Sequence, residues 1–376
     1  MLRAYKYRIY PNKSQKVLLN KTFGCVRFVW NKNVESFLNR TEFKSSTEYR
    51  KEFEFLKEVS AATIQQKEID FKEFKNQRFS KTRKKKIGNP KFKSRRNRQS
   101  FRLPNQKFRI EGNKLKLEKI GFIKIKLDRE FIGRTISVTI SRDVVGDYYA
   151  SVLVEEEQKS KPKTNKVVGI DLGIKALLTT SDGLQVKTFP DNQRKIKHIQ
   201  RRLSRKTKGS NRFRRLKLRI AKLHRKETRR REWLLHNISY HLVDNYDLIV
   251  AEDLNVAGMM KNHCLAGSIG KASWSTLINM IDYKSKFYGK EFVKINRWFP
   301  SSKTCNCCGQ IKDNLKLSDR IYKCECGNIS DRDLNAAKNI KAVGVTTANQ
   351  SVMECKTYLN KTSLRQAIPN DLIKFL

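Results

Sequence analysis

Alternating apolar and polar residues open the chain and recur through its first half. Residues 2–10 alternate until Pro11, which cannot donate to a sheet, ends the pattern. The alternation returns at residues 122–127, 135–140 and 148–154. Short antiparallel strands at such spacing are typical of a small β-barrel. We therefore predict a barrel that residues 2–10 help to complete.

Between the first strand and the others, the apolar spacing is helical. One helical region spans about residues 14–40, and we expect Gly24 to separate a short first helix from a longer second one. Another helix is predicted at about residues 60–75. These helices would form an insertion between barrel strands. Their outward Lys, Arg and Gln side chains either contact nucleic acid or form an ordinary solvated face.

The second half of the chain contains short, wholly apolar runs separated by long helical segments. Buried strands are predicted at residues 167–171 and 247–251, and further strands at 174–180 and 292–295. The turn at 181–183 is typical of a hairpin. A helical hairpin is predicted over residues 193–245, with its apolar stripe in the core, and a further helix over 271–290.

Two of the buried strands end on carboxylates, Asp171 and Glu252. Buried strands separated by a crossover favour a parallel pair, so these carboxylates should lie at the same edge of one sheet. Like charges held close together repel, and a divalent cation commonly relieves that repulsion. The alternative is that Glu252 or Asp253 merely caps the next helix.

Charge limits the class of partner. The 376 residues include 82 Lys and Arg against 36 Asp and Glu, which gives a formal net charge of +46. Such a surplus favours nucleic acid as the partner. We expect no membrane association, because no apolar run approaches a membrane span, and the polar N-terminus predicts no signal peptide. The expected location is the cytoplasm.

Two tracts concentrate the basic charge. Residues 81–98 contain no acidic residue, which is typical of a loop that orders on phosphates, and the hairpin at 193–245 is also strongly basic. The nucleic-acid-binding candidates in these tracts are Lys84, Lys85, Lys86, Arg95, Arg96, Arg201, Arg202, Arg205, Arg212, Arg214 and Arg215.

Five of the eight cysteines fall within residues 305–326. The pairs Cys305/Cys308 and Cys324/Cys326 flank a polar loop, a spacing that predicts a four-cysteine zinc ribbon. The second pair is C-x-C, and Cys307 is a spare thiol that could compete with a neighbouring ligand. The remaining three, Cys25, Cys264 and Cys355, are interpreted as packing or surface residues.

A helix is predicted directly after the ribbon. Asp331 is a suitable N-cap, and Asp333 would then lie in the first turn, facing the sheet, with Asn335–Ala337 packed closely behind it.

These motifs together resemble the TnpB (OrfB) proteins of bacterial insertion sequences, compact RNA-guided nucleases related to the type V CRISPR effectors. The resemblance spans nearly the whole chain. It is carried by residues 7–11, 168–173, 248–255, 301–305 and 326–337.

The resemblance implies an α+β multidomain fold. It comprises a wedge-like antiparallel β-barrel (1–10 and 99–163) with a helical recognition insertion (11–98), and an RNase H-like RuvC α/β domain (164–302 and 328–345). A zinc ribbon (303–327) would interrupt the nuclease domain, and 346–376 would form a C-terminal tail.

The resemblance also implies catalytic roles for Asp171, Glu252 and Asp333. These carboxylates would hold two Mg²⁺ ions, one activating water and the other stabilising the leaving 3′ oxygen. The implied partners are a guide RNA from the same element and double-stranded target DNA bearing a short adjacent motif. A monomer is favoured.

Two other functions remain open from the sequence. A strand-transfer transposase would use the same kind of carboxylate triad. A nuclease-silenced, RNA-guided repressor would need the basic surfaces without the metal ligands, so the complete triad argues against it.

Overall fold

A computed structural model of the chain describes residues 1–82, 87–96, 98–187, 192–315 and 319–362, with side chains described as far as residue 348. The chain divides into two compact units, Met1–Glu157 and Gln158–Leu376. No helix in the described ranges combines the length and apolar character that crossing a membrane requires.

The first unit contains a seven-stranded antiparallel sheet in the order β2-β6-β7-β1-β5-β4-β3. Its strands are β1 (Leu2–Tyr10), β2 (Gln99–Pro104), β3 (Phe108–Glu111), β4 (Lys114–Leu117), β5 (Gly121–Lys126), β6 (Arg134–Arg142) and β7 (Tyr148–Glu155). As predicted, the first strand of the chain completes the sheet, since β1 pairs with both β5 and β7.

The sheet curls into half a barrel but does not close, so the predicted barrel is confirmed only in part. Strands β2 and β3 end the sheet on opposite sides and are not hydrogen-bonded to each other. A closed barrel buries its apolar face against its own opposite wall. Here apolar residues of the helices, including Leu19, Phe23 and Val26, pack against that face in one core cluster.

Helices of the first unit are α1 (Lys13–Asn39), α2 (Ser46–Glu52) and α3 (Ala61–Phe79), with a 3₁₀ turn at Glu54–Glu58. Helix α1 is continuous through Gly24, contrary to the prediction of two helices. The neighbours Phe23 and Cys25 are buried, so packing holds the segment helical despite the low helix propensity of glycine.

The second unit is built on a five-stranded sheet in the order β10-β9-β8-β11-β12. Its strands are β8 (Val167–Asp171), β9 (Leu178–Thr180), β10 (Gln185–Val186), β11 (Leu248–Glu252) and β12 (Glu291–Ile295). Strands β8, β11 and β12 are parallel, which confirms the predicted pairing of the first two. Strand β9 is shorter than predicted: β8 ends at Asp171, so residues 174–177 have no strand edge there to pair with.

Six helices are described in the second unit. They are α4 (Gln193–Ser204), α5 (Asn211–Asn245), α6 (Val256–Met259), α7 (His263–Ala272), α8 (Trp274–Tyr288) and α9 (Arg332–Thr362). The predicted hairpin is formed by α4 and α5. The helix predicted at 271–290 begins at Trp274, because Ser273 takes a left-handed conformation (φ 55°) that ends α7.

The apolar stripe of α5 is only partly core. Ile238 and Leu242 are buried, whereas Leu216, Ile220 and Leu223 are half-buried. The buried residues of α5 all lie between Leu235 and Val243, so the part of α5 that precedes Leu235 leaves most of its surface to solvent.

Helix α9 packs directly on the sheet through two glycines. A Cβ on Gly169 of β8 would overlap the carbonyl oxygen of Ala337, and a Cβ on Gly344 would overlap the side chain of Val250. Only glycine at these positions permits such an approach. The buried Ala336 and Ala337 lie in the same part of the helix, as predicted.

Candidate functional site

Three carboxylates converge at one edge of the second sheet. Asp171 ends β8, Glu252 ends the parallel strand β11, and Asp333 lies in the first turn of α9. Burial raises the pKa of Asp171 to about 7, and the nearby charges of Glu252 and Asp333 add to the rise. The pKa of Glu252 is also raised, chiefly by burial. The fold therefore brings together the three carboxylates that the sequence analysis predicted to share one site.

The carboxylate cluster is short of positive charge. Arg332 lowers the pKa of Asp171, but not enough to offset burial and the two other carboxylates. Arg332 is oriented beside the cluster, with its Nε 3.9 Å from Asp333 Oδ1. Oxygen ligands with mutual repulsion in a half-buried site suit a hard divalent cation such as Mg²⁺.

The acidic neighbours of these residues have structural partners of their own. Asp253 forms an ion pair with Arg297. Exposed Asp331 accepts hydrogen bonds from the backbone N–H groups of Asp333 and Leu334, at 3.0 and 3.1 Å. Asp331 thus caps α9, as predicted.

The helix that follows β11 has its own cap. The side chain of Asn255 accepts from Gly258 N–H at the start of α6. Neither Glu252 nor Asp253 performs this role, so the capping alternative for those two residues is wrong.

The four paired cysteines form one cluster. The sulfur atoms of Cys305, Cys308, Cys324 and Cys326 all lie within 4.8 Å of one another. The Cys305–Cys326 and Cys308–Cys324 sulfur distances are 3.7 and 3.6 Å. Tetrahedral zinc with Zn–S bonds of about 2.3 Å requires sulfur atoms roughly 3.8 Å apart. The spacing is therefore compatible with zinc binding through the C-x-C pair.

Cys307 lies outside this cluster and is exposed. Its backbone N–H donates to Cys305 Sγ at 3.4 Å, and Asn328 Nδ2 donates to the same sulfur at 3.3 Å. Burial raises the pKa of Cys305, but backbone and side-chain donors outweigh it and bring the pKa down to about 6. These donors favour the thiolate, which is the form that binds zinc.

Buried amides connect the ribbon to α9. Asn335 Oδ1 accepts from Asn306 N–H at 3.0 Å, and Asn335 Nδ2 donates to Thr304 O at 2.6 Å. One turn later, Asn339 Nδ2 donates to Ser301 O and Thr304 O, at 2.8 and 2.7 Å. The segment leading into the ribbon is therefore fixed to the helix that carries Asp333.

The same segment also contacts a second carboxylate. Ser301 Oγ donates a hydrogen bond to Glu252 Oε1, and this bond lowers the pKa of Glu252. The sequence analysis placed Asn335 only as a packing residue behind Asp333 and did not select Ser301 or Asn339. Ser301 and Asn335 lie within the segments that carry the family resemblance, whereas Asn339 lies beyond them and had no such signal.

The predicted nucleic-acid contacts are surface residues wherever they are described. Lys84, Lys85 and Lys86 lie outside the described residues. The exposed members of the set are Arg95, Arg96, Arg201, Arg202, Arg205, Arg212, Arg214 and Arg215. The last six lie on α4, on α5 and in the turn between them.

Three family profiles match the chain. A profile described as "Probable transposase" matches residues 151–263. A Cas12f1-like TNB domain profile matches residues 274–340. A helix-turn-helix profile matches residues 1–36, where this chain forms strand β1 and most of the single helix α1.

Curated relatives match over most of the chain. A "Putative RNA-guided DNA endonuclease" of Streptomyces pristinaespiralis is 37% identical over 92% of this chain and 90% of its own length. "Putative RNA-guided DNA endonuclease InsQ" of Escherichia coli K12 is 27% identical over 99% of this chain and 98% of its own length.

A solved structure resembles the fold as a whole. The protein chain in a cryo-EM structure of a Cas12f1–sgRNA–target DNA complex aligns with a TM-score of 0.53 and 14% identity. The alignment covers 91% of this chain and 98% of that chain. At this identity the likeness indicates a shared α+β fold.

Proposed function

Because the chain belongs to the TnpB (OrfB) family of insertion-sequence proteins, we propose that it is an RNA-guided DNA endonuclease. It would cut target DNA beside a short motif, using a single Mg²⁺-dependent site of the RuvC, RNase H-like type. The named activity of the relatives from Streptomyces and Escherichia coli supports this proposal. The observation that carries it is the convergence of Asp171, Glu252 and Asp333 at one sheet edge.

The chain's own residues prepare the site. Asp171 and Glu252 are fixed by two parallel strands, and Asp333 by the first turn of the helix packed across them. Mg²⁺ held by these carboxylates would supply activation of a water and stabilisation of the leaving oxygen. Ser301 holds one oxygen of Glu252 by donating to it, which orients the carboxylate. Arg332 holds a positive charge beside Asp171 and Asp333, which would offset part of the negative charge of a bound phosphodiester.

Recognition is a separate task from cutting. The exposed arginines of α4 and α5 offer a surface for nucleic-acid phosphates, which provides affinity without sequence information. Sequence would be read by base pairing between target DNA and a guide RNA that accompanies the protein. We therefore expect one abundant structured RNA, encoded near the 3′ end of the gene, to co-purify with the protein. Recovery of only random RNA, released at moderate salt, would contradict the guided mechanism.

The decisive experiment is cleavage of double-stranded DNA by the protein with its RNA and Mg²⁺. Asp171→Ala, Glu252→Ala and Asp333→Ala should each abolish cutting and leave guided binding nearly intact. The reason is that these carboxylates would hold the Mg²⁺ needed for cutting, whereas binding depends on the basic helices and on base pairing. Gel-based cleavage and binding assays measure both properties.

Matched controls come from the neighbouring aspartates. Asp253→Ala and Asp331→Ala should retain cutting, at a stability cost of about 1 kcal/mol for the lost ion pair or cap. An inactive Asp331→Ala variant together with an active Asp333→Ala variant would show that Asp331, and not Asp333, is the third carboxylate of the site. Cutting by all three triad variants would place the active site elsewhere.

The transposase description of one matching profile supports a second candidate, strand transfer. Joining of donor DNA ends in the absence of RNA would favour that activity over guided cutting.

A further inference from the structure

A cleft adjoins the carboxylate cluster on the side of α8. Its volume is about 200 Å³, and Glu252 forms part of its wall. Leu172 and Leu254 contribute apolar surface, while Ser275, Asn279 and Lys294 contribute polar groups. Pockets that bury drug-sized ligands measure about 300–1,000 Å³, so this cleft suits something smaller, such as one ring system.

One wall of the cleft carries an unsatisfied donor. Trp274 lines the cleft and is 2% exposed, yet its indole Nε1 has no hydrogen-bond acceptor among the described residues. A buried donor without a partner is costly, and such groups are rare in native proteins. Because Nε1 is itself buried, an acceptor in the cleft would reach this donor only after the side chains that cover it move.

The start of α8 adds further donors to the same wall. The residue before the helix, Ser273, is left-handed and makes no side-chain cap, and its carbonyl oxygen accepts from the N–H groups of Thr276 and Leu277. The backbone N–H groups of Trp274 and Ser275 remain available. Ser275 and Asn279, both exposed, follow in that turn and the next. Backbone N–H, hydroxyl and amide groups match the oxygen and nitrogen acceptors on the edge of a nucleobase, and the leucines match its flat apolar face.

We propose that this cleft holds the nucleobase of a nucleotide next to the phosphodiester that is cut. The inference rests on the proposed nuclease function. Glu252 belongs both to the carboxylate cluster and to the cleft wall, so a strand positioned for cutting brings an adjacent nucleotide to the cleft. Because of this base pocket, the rate of cutting depends on the base of the nucleotide beside the cut. This dependence is separate from base pairing with the guide.

The experiment maps this dependence with abasic substrates. The full chain with its co-purified RNA cuts DNA targets that carry one abasic site, moved stepwise across the mapped cut. In the wild-type protein, one position should slow cutting by roughly tenfold or more, as expected when a base contact is lost. Binding is measured on the same substrates. At the position that slows cutting it should not change, because the base contact acts at the cut and not in guide pairing.

Variants then assign the effect to the cleft. Ser275→Ala and Asn279→Ala replace exposed residues and should cut intact and abasic substrates at similar rates, having lost the base contact. Thr276→Ala is the matched control, because Thr276 is exposed on the same helix without lining the cleft, and it should retain the wild-type profile.

Three outcomes overturn the proposal. Equal cutting at every abasic position by the wild-type protein rejects the base pocket and leaves the nuclease function standing. A position-specific effect that persists in Ser275→Ala and Asn279→Ala places the base contact elsewhere. Absence of guided cutting by the wild-type protein rejects the proposed function and the pocket with it.

Discussion

Substitution of Gly169 by alanine tests whether the packing of α9 on β8 sets the catalytic geometry. The added Cβ would lie 2.5 Å from Lys341 N, 2.9 Å from Lys341 Cα and closer still to the carbonyl oxygen of Ala337. All three atoms belong to the α9 backbone, so no side chain can rotate away to make room. Ordinary contact between heavy atoms requires about 3.5 Å, so helix and strand must separate by roughly 1 Å.

The expected effect on cutting is large because Asp333 lies one turn from Ala337 on the displaced helix. A displacement of about 1 Å at a catalytic group can cost about 100-fold in rate. Overpacking should also lower the free energy of unfolding by about 1–3 kcal/mol. Guided DNA binding should be largely retained, since the basic helices α4 and α5 are untouched.

Single-turnover cleavage, DNA binding and thermal unfolding measure the three quantities. The matched control is Gly267→Ala in α7, where an added Cβ meets nothing within 4 Å. That variant should cut normally and gain about 0.5–1 kcal/mol from improved helix propensity. Wild-type cutting by Gly169→Ala would refute the reasoning, because it would mean that the position of α9 does not govern the site.

Three further substitutions test other parts of the site. Cys326→Ser should lose both zinc, measured by elemental analysis, and cutting, because the ribbon is bonded to α9 through Asn335; Cys264→Ser, an exposed cysteine outside the cluster, should keep both. Full activity in zinc-free Cys326→Ser would separate the ribbon from catalysis. Ser301→Ala should slow cutting by roughly 10- to 150-fold, equivalent to about 1.5–3 kcal/mol for a hydrogen bond to a carboxylate, and Ser301→Thr should restore most of the rate in the same kinetic assay. Equal rates in both variants would show that the hydroxyl does not position Glu252. Replacing Arg212, Arg214 and Arg215 together by Gln should weaken RNA binding and lower the salt dependence of the binding constant by up to about three ion equivalents in a filter-binding titration, whereas an unchanged slope would exclude phosphate contacts by these residues.

The backbone of the sheet edge that carries Asp171 and Glu252 was predictable because it depends on strong, local patterns. Two apolar runs ending in carboxylates and separated by a helical crossover indicate a parallel pair, and β8 and β11 form one. The cysteine spacing likewise indicated a metal site, and the four sulfur atoms form a cluster compatible with zinc.

The errors arose where tertiary packing outweighs local preference. Gly24 suggested a break in α1, but the buried faces on either side keep that helix continuous. Alternation along the strands predicted a sheet without showing that helices, rather than an opposite barrel wall, would cover its apolar face. The amide contacts of Asn335 and Asn339 depend on the path of the segment before the ribbon, which no local periodicity encodes.

The placement of the third carboxylate on α9 has a consequence for protein synthesis. Asp171 and Glu252 are translated well before Asp333, and at about 5–20 residues per second the interval between the first and the last is roughly 10–30 s. Until α9 has been synthesised, the sheet face that receives it has no helix to cover Gly169 and Val250. A chain that stops before residue 333 therefore lacks the third carboxylate as well as the helix that aligns it. On the proposed mechanism, such truncated products cannot cut the genome that encodes them.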